Sequence, residues 1–218
     1  VNYIRSFLPY VDGVFLTTSG KVLDEFKPEN GFCEFMPNPV DAALEYEESW
    51  KRDKKYDFFT AMSDKTLQLG DLRHKIPHHL QEKGFAFKFP GFKGEAKVYG
   101  REYFELIASS KICLNISKCG FKDGKPDLST LKHYTSDRLQ HMMGVGAAVM
   151  TPNTNQLEDL YEDALCYFDG FDDFCEKYPK LLKDENLRKK YGQKAYKIAH
   201  SRYNVETVCK GILDRLFD

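Results

Sequence analysis

The chain has 218 residues, 42% hydrophobic, 14% aromatic and 30% charged, which is ample apolar material for a core beneath a polar surface. A formal net charge of −1 excludes a general nucleic-acid or anionic-membrane binder, since either needs a basic excess. No apolar run approaches the ~18 residues of a membrane span and no signal-peptide pattern opens the chain, so a cytoplasmic protein is expected. An opening Val in place of Met points to a piece of a longer multidomain chain.

Short apolar runs at residues 13–17, 32–36, 56–62, 86–89, 111–116, 147–150 and 165–168 read as strands. Helical spacing separates several of them, as at 67–83 and 99–110. Strand–helix alternation with little hairpin chemistry implies an α/β, Rossmann-like parallel sheet with helices on both faces. From residue 172 to 217 only helical patterning remains, a C-terminal helical tail. The stretch 120–130, rich in Gly, Pro and Asp, reads as a surface loop. In Met36-Pro37-Asn38-Pro39-Val40-Asp41 two prolines fix φ and forbid both helix and ladder pairing. The chain there is either a stiff hinge between domains or an ordinary β–α loop.

The six cysteines (33, 113, 119, 166, 175 and 209) form no CxxC pair and do not cluster with His, which argues against zinc. Cys113 and Cys166 lie inside apolar runs, where a small buried thiol suits the pattern, and all six are expected to be reduced.

The segment from His133 to Pro152 carries the most chemistry. Thr135, Ser136 and Asp137 are helix-capping types and Arg138 follows them. About two helical turns then run to Gly144 and Gly146, ahead of the strand at 147–150. A helix start facing the end of a sheet offers free N–H groups and about half a positive charge to an anion.

Several of these segments, taken in order, resemble the C-terminal, donor-binding half of GT-B glycosyltransferases of the spore-coat CgeB and "glycosyl transferases group 1" types. The Met36–Asp41 stretch is similar to the linker entering that half. Tyr56-Asp57-Phe58-Phe59-Thr60, followed by Arg73, resembles its first strand and the arginine after it. Tyr99-Gly100-Arg101-Glu102-Tyr103-Phe104-Glu105-Leu106-Ile107, leading into Lys111-Ile112-Cys113-Leu114-Asn115, is similar to a helix and a strand ending in Asn. Ser136-Asp137-Arg138-Leu139 with Gly146-Ala147-Ala148-Val149-Met150-Thr151 looks like the donor-site helix and its strand. The run from Leu181 to Tyr203 resembles the closing helices.

The resemblance implies that 1–37 ends an acceptor-side domain and hinge, while 38–218 is the nucleotide-sugar domain. It implies transfer of a sugar from a nucleoside-diphosphate donor to an acceptor hydroxyl of a glycan, with no bound metal and no cofactor beyond the donor substrate. The partners implied are that donor and a carbohydrate acceptor, without nucleic acid. The general base would belong to the other domain, so no catalytic residue is named.

Arg138, Arg73, Thr135 and Ser136 are the candidate diphosphate contacts. Their alternatives are a surface arginine paired with Asp137, a solvated helix charge at Arg73, and plain helix caps at Thr135 and Ser136. His141 stands where many members carry a Glu that binds the donor ribose, and His133 stands where they carry the other Glu of the pair. A neutral imidazole accepts one hydroxyl hydrogen bond where a carboxylate takes two. Asn153 and Asn155, after the strand, can read sugar hydroxyls or form a turn. The basic runs at 51–55 and 187–190 read as solvated faces. Phe85, Phe87, Phe89 and Phe92 read first as core and then as a base platform. Two other functions remain open: a non-catalytic nucleotide-sugar-binding or scaffolding module, and a nucleotide-sugar isomerase of the same fold.

Overall fold

The computed structural model describes residues 2–62, 71–117, 121–122, 125–126, 131–134 and 136–217. Its centre is a sheet of five parallel strands in the order β4-β3-β5-β8-β9. These are β3 (Tyr56–Phe59), β4 (Phe87–Lys88), β5 (Ser110–Leu114), β8 (Val149–Pro152) and β9 (Cys166–Phe168). Two more strands, β1 (Gly13–Leu16) and β2 (Phe32–Phe35), pair in parallel as a separate ribbon across α2 (Val22–Glu25). Each of the seven apolar runs overlaps one of these strands. In the stretch 120–130, β6 (Phe121–Lys122) and β7 (Lys125–Pro126) form a short antiparallel pair, and the rest lies outside the described residues.

Alternation along each central strand divides the core in two. Phe59, Cys113 and Val149 point to one face, under α4 (Gly100–Ala108), α5 (Asp137–Gly144) and α8 (Glu185–Arg202). Phe58, Ile112, Leu114 and Met150 point to the other, under α3 (Leu72–Glu82) and α7 (Gly170–Lys183). Both faces are covered because right-handed parallel crossovers place helices on each side. This is why the strands read as continuous apolar runs. Phe89 and Phe92 are buried with Met62, so the aromatic alternation beyond β4 is core.

The stiff segment after β2 is held at the joint between α8 and α9 (Val205–Phe217). Val40 N–H donates to Tyr203 O at 2.7 Å, and Val205 N–H donates to Val40 O at 2.9 Å. From α9, Arg215 reaches the ribbon, pairing with Glu34 at 2.5 Å and lying 4.1 Å from the centre of the Phe32 ring. The short helices α1 (Asn2–Arg5) and α6 (Glu158–Tyr161) complete the chain. The described cysteines 33, 113, 166, 175 and 209 are all free thiols; Cys119 lies outside the described residues.

One close approach fixes how α8 packs. Gly192 faces the turn before β8, where an added Cβ would stand 2.3 Å from Gly146 O. Gly146 itself has φ +72°, with the Trp50 ring over its α-carbon. Gly192→Ala is expected to lower stability by about 1–3 kcal/mol through overpacking against backbone. Gly211→Ala, on an open side of α9, should raise stability by roughly 0.5–1 kcal/mol through lost unfolded-chain entropy. Urea midpoints that moved together would contradict this packing.

Candidate functional site

After β3 the chain crosses to β4 on one side, then returns past β3 to β5 on the other. The helices on either side of that reversal diverge, and the crevice between the carboxyl ends of β3 and β5 is where open α/β sheets hold ligands. Arg138, in the first turn of α5, reaches into this position. Its Nη1 donates to Ala61 O just beyond β3, and its Nη2 lies 3.4 Å from Asn115 Oδ1 just beyond β5. Asn115 continues the chain of bonds: its Nδ2 donates to Thr151 Oγ1 at 3.1 Å, and Thr151 Oγ1 donates to Asn115 O at 3.1 Å. Asn115 and Thr151 are buried. The side chain of Arg138 thus passes over Asp137 to the strand ends, and its partners are not those of a surface arginine.

Arg73, in the first turn of α3, is also buried at 7% exposure, which overturns its reading as a solvated helix charge. Its backbone N–H is capped by Asp71 Oδ1 at 3.1 Å. Burial pushes the Arg138 guanidinium pKa down, the Tyr103 phenol opposes the shift, and the charge of Arg73 adds to it. Two arginines that feel each other in a partly enclosed site repel, and a bound anion would relieve that repulsion.

Helix α5 begins at Ser136, extended at φ −78° and ψ 158°, but the Ser136 side chain makes no capping hydrogen bond. Asp137 Oδ1 instead accepts from Arg138 N–H at 2.8 Å. The hydroxyl cap expected at Ser136 is not formed, and the adjacent carboxylate serves an N–H of the first turn. Thr135, and residues 63–70 ahead of Arg73, lie outside the described residues.

Several enclosed polar atoms near the strand ends have no hydrogen-bond partner: Thr60 Oγ1, Ser117 Oγ, Arg138 Nε and Asn155 Oδ1. An unsatisfied buried group costs about 1–3 kcal/mol. Three of these atoms can donate, which suits a ligand rich in acceptor oxygens. Beside them, a groove of about 190 Å³ runs along Ala61, Met62, Gly91 and Lys97 to Tyr99.

The loops before α5 and after β8 are tied together. His133 (φ +59°) donates its backbone N–H to Asn155 O at 2.7 Å, and Asn155 Nδ2 donates to Tyr134 O at 3.1 Å. Asn155 is buried with φ +64°, whereas Asn153 is exposed and its N–H donates to Phe168 O at 2.8 Å. The His133 ring meets the ribbon side of the molecule, with Nδ1 3.0 Å from Ser19 Oγ, Nε2 3.3 Å from Asp159 and the Phe35 ring at 5.4 Å. Lys132 and then His133 hold the Asp159 carboxyl below its usual range.

His141 lies one turn along α5 from Arg138, against the rings of Tyr103 and Phe104, and its Nδ1 pairs with the buried Glu45. Glu45 also accepts from Asp41 N–H at 2.8 Å. Sequence reasoning missed Glu45, Ser19 and Ala61, which come from distant segments. The usable signal was position: Ala61, Asn115 and Thr151 lie at or just beyond the carboxyl end of an apolar run.

Among the described residues, no group of three or more His, Cys, Asp or Glu side chains could hold a metal ion. Nor is any helix there long and apolar enough to cross a membrane.

No curated protein sequence matches the chain. Solved structures do. S. aureus TarM, in a complex with fondaparinux, α-GlcNAc-glycerol and UDP, is similar over 100% of this chain and 46% of its own, at 15% identity and a TM-score of 0.66. Sucrose-phosphate synthase from Thermosynechococcus elongatus aligns over 97% of this chain and 60% of its own, at 13% identity and a TM-score of 0.62. The pneumococcal O-GlcNAc transferase GtfA, bound to UDP and GlcNAc, aligns over 100% and 48%, at 12% identity and a TM-score of 0.57. The chain thus spans 60% or less of these structures, and at such identities the likeness establishes the fold, that of a GT-B half. A family profile described as glycosyl transferase-like matches residues 60–214, most of the chain and all of the crevice from Thr60 onward, and the chain belongs to that family.

Proposed function

We propose that the protein is a glycosyltransferase that takes a sugar from a nucleoside-diphosphate donor and passes it to an acceptor hydroxyl of a glycan. The observation that carries this reading is the buried Arg138 guanidinium at the β3–β5 switch point, bonded to Ala61 and Asn115, where enclosed donors lack partners and the charge of Arg73 is felt. The diphosphate lies against these arginines. Arg138 uses Nη1 and Nη2 to hold Ala61 and Asn115, and its remaining N–H groups face the ligand. The acceptor oxygen bonds to the anomeric carbon as the bond from that carbon to the diphosphate oxygen breaks. The acceptor proton passes to a base, and the diphosphate leaves with the electron pair.

Negative charge grows on the leaving oxygen in the transition state, where fixed cations and N–H donors have most effect. The α5 terminus and the two guanidinium groups supply that charge with no bound metal and no separate cofactor. The base of the nucleotide occupies the groove beside Lys97 and Tyr99. His141 Nε2 meets the ribose, since Nδ1 is committed to Glu45. Asn153 and Asn155 read the sugar, and Ser136 contacts the phosphate, a role kept for Thr135 as well. Residues 1–37 end an acceptor-side domain, with 38–218 as the donor domain of a longer cytoplasmic chain that supplies the base.

The donor reading is tested by thermal unfolding with UDP, GDP, dTDP and CDP. One of them, at 100 times its Kd, should add about 2.7 kcal/mol of stability, and no shift with any of the four would refute the reading. Arg138→Ala should weaken the diphosphate at least tenfold more than the free nucleoside, and an equal loss on both would remove its phosphate role.

Transfer is tested separately, with the full-length protein and a panel of nucleotide sugars. Acceptor-dependent sugar release is expected. Binding without turnover would favour a scaffolding module, and interconversion of donor sugars an isomerase.

A further inference from the structure

The two basic runs at 51–55 and 187–190 lie more than 130 residues apart in sequence, yet they meet around one cavity. It has a volume of about 240 Å³ and lies at the amino end of the central sheet, beside Lys111 of β5 and the turn before β8. The donor crevice is at the other end of the same strands, about 13 Å away over the four residues from Lys111 to Asn115. Nothing in the proposed transfer uses this cavity.

Its cations differ in how they are held. Arg52 is answered by Glu47 and Glu105, and Lys111 by Asp57. Among the described residues no carboxylate pairs with Lys54, although Asp53 and Glu185 also line the cavity. Its ammonium spends its three N–H donors on Ser49 O at 2.5 Å and on Ser49 Oγ and Ala108 O, both at 2.7 Å, so it offers the cavity a positive charge. Burial draws the Lys54 pKa down to about 8, with Arg188 and Arg52 adding to the shift, Cys113 and Glu185 opposing it. Arg188 spends Nη1 on the carbonyls of Leu181 and Leu182 at the end of α7. Lys189 is exposed just past the first turn of α8. Trp50 supplies an aromatic wall.

We propose that this cavity is a second ligand site, which binds a small phosphate-bearing anion between Lys54, Arg188 and Lys189, with Trp50 beside it. Arginine and lysine together suit phosphate, the former as a planar fork and the latter as a compact charge. The volume falls just below the usual range of small-molecule pockets, roughly 300–1,000 Å³. A ligand the size of a phosphomonoester fits it better than a nucleotide.

Trp50 is the sole tryptophan of the chain, so its emission reports this cavity and not the crevice. Inorganic phosphate, titrated against sodium chloride at matched ionic strength, should change Trp50 emission saturably where chloride does not. Lys189→Glu should weaken that response at least fivefold, and Arg188→Gln should do the same. If Arg188→Gln fails to fold because its α7 carbonyl contacts are lost, the exposed Lys189 variant carries the test alone. Absence of a saturable change in the unmodified protein would overturn the proposal. So would an undiminished response in Lys189→Glu, which would place the phosphate elsewhere.

Discussion

A guanidinium at the carboxyl edge of the sheet is the constraint on which the rest of this site depends. Arg138 starts on α5 and ends between Ala61 and Asn115, so one side chain connects a helix to the ends of two strands. Those strands are neighbours at the place in the sheet where the chain reverses its direction of travel. A cation there loses hydration, and carbonyl and amide oxygens replace only part of it. The Asn115–Thr151 bonds extend the same network to β8. The crevice floor is therefore a continuous polar line across three strands, with apolar core behind it on both faces.

That line also restricts α5. Its first turn must bring Arg138 inward, while Leu139, Met142 and Met143 enter the core on the same helix. Further along, Gly144 is needed because a Cβ would meet Val40 and Glu45 at 2.7 and 2.8 Å. The helix is thus fitted at one end to the crevice and at the other to the segment after β2. Any movement of that segment would be felt by the arginine through a helix only about 12 Å long.

Much of this was legible in the sequence. The five central strands overlap apolar runs because both faces of their sheet are buried, so alternation collapses into continuous hydrophobicity. Arg138 was identifiable from its place after a cluster of capping residues, but its partners were not. A side chain that reaches across to Ala61 leaves no local spacing signal. The same limit applied to Arg73, whose charge suggested solvent although its position beside the switch point buries it. The basic runs looked like solvated faces because nothing in a linear reading brings Lys54 next to Lys189.

The two histidines show what distance in sequence conceals. At 133 and 141, where carboxylates were expected from the family resemblance, the chain presents imidazoles, yet neither is without a carboxylate. Asp159, from α6, stands beside His133, and Glu45, from the segment after β2, stands beside His141. The electrostatic consequence follows from Coulomb's law: a lone carboxylate near a diphosphate repels it, whereas an imidazole–carboxylate pair presents a ring N–H or lone pair with the anion set further back. Contacts are drawn from Asp159 and Ser19 at the His133 ring and from Glu45 at the His141 ring, so the loop before α5 and the helix itself are tied to segments far from them in the chain.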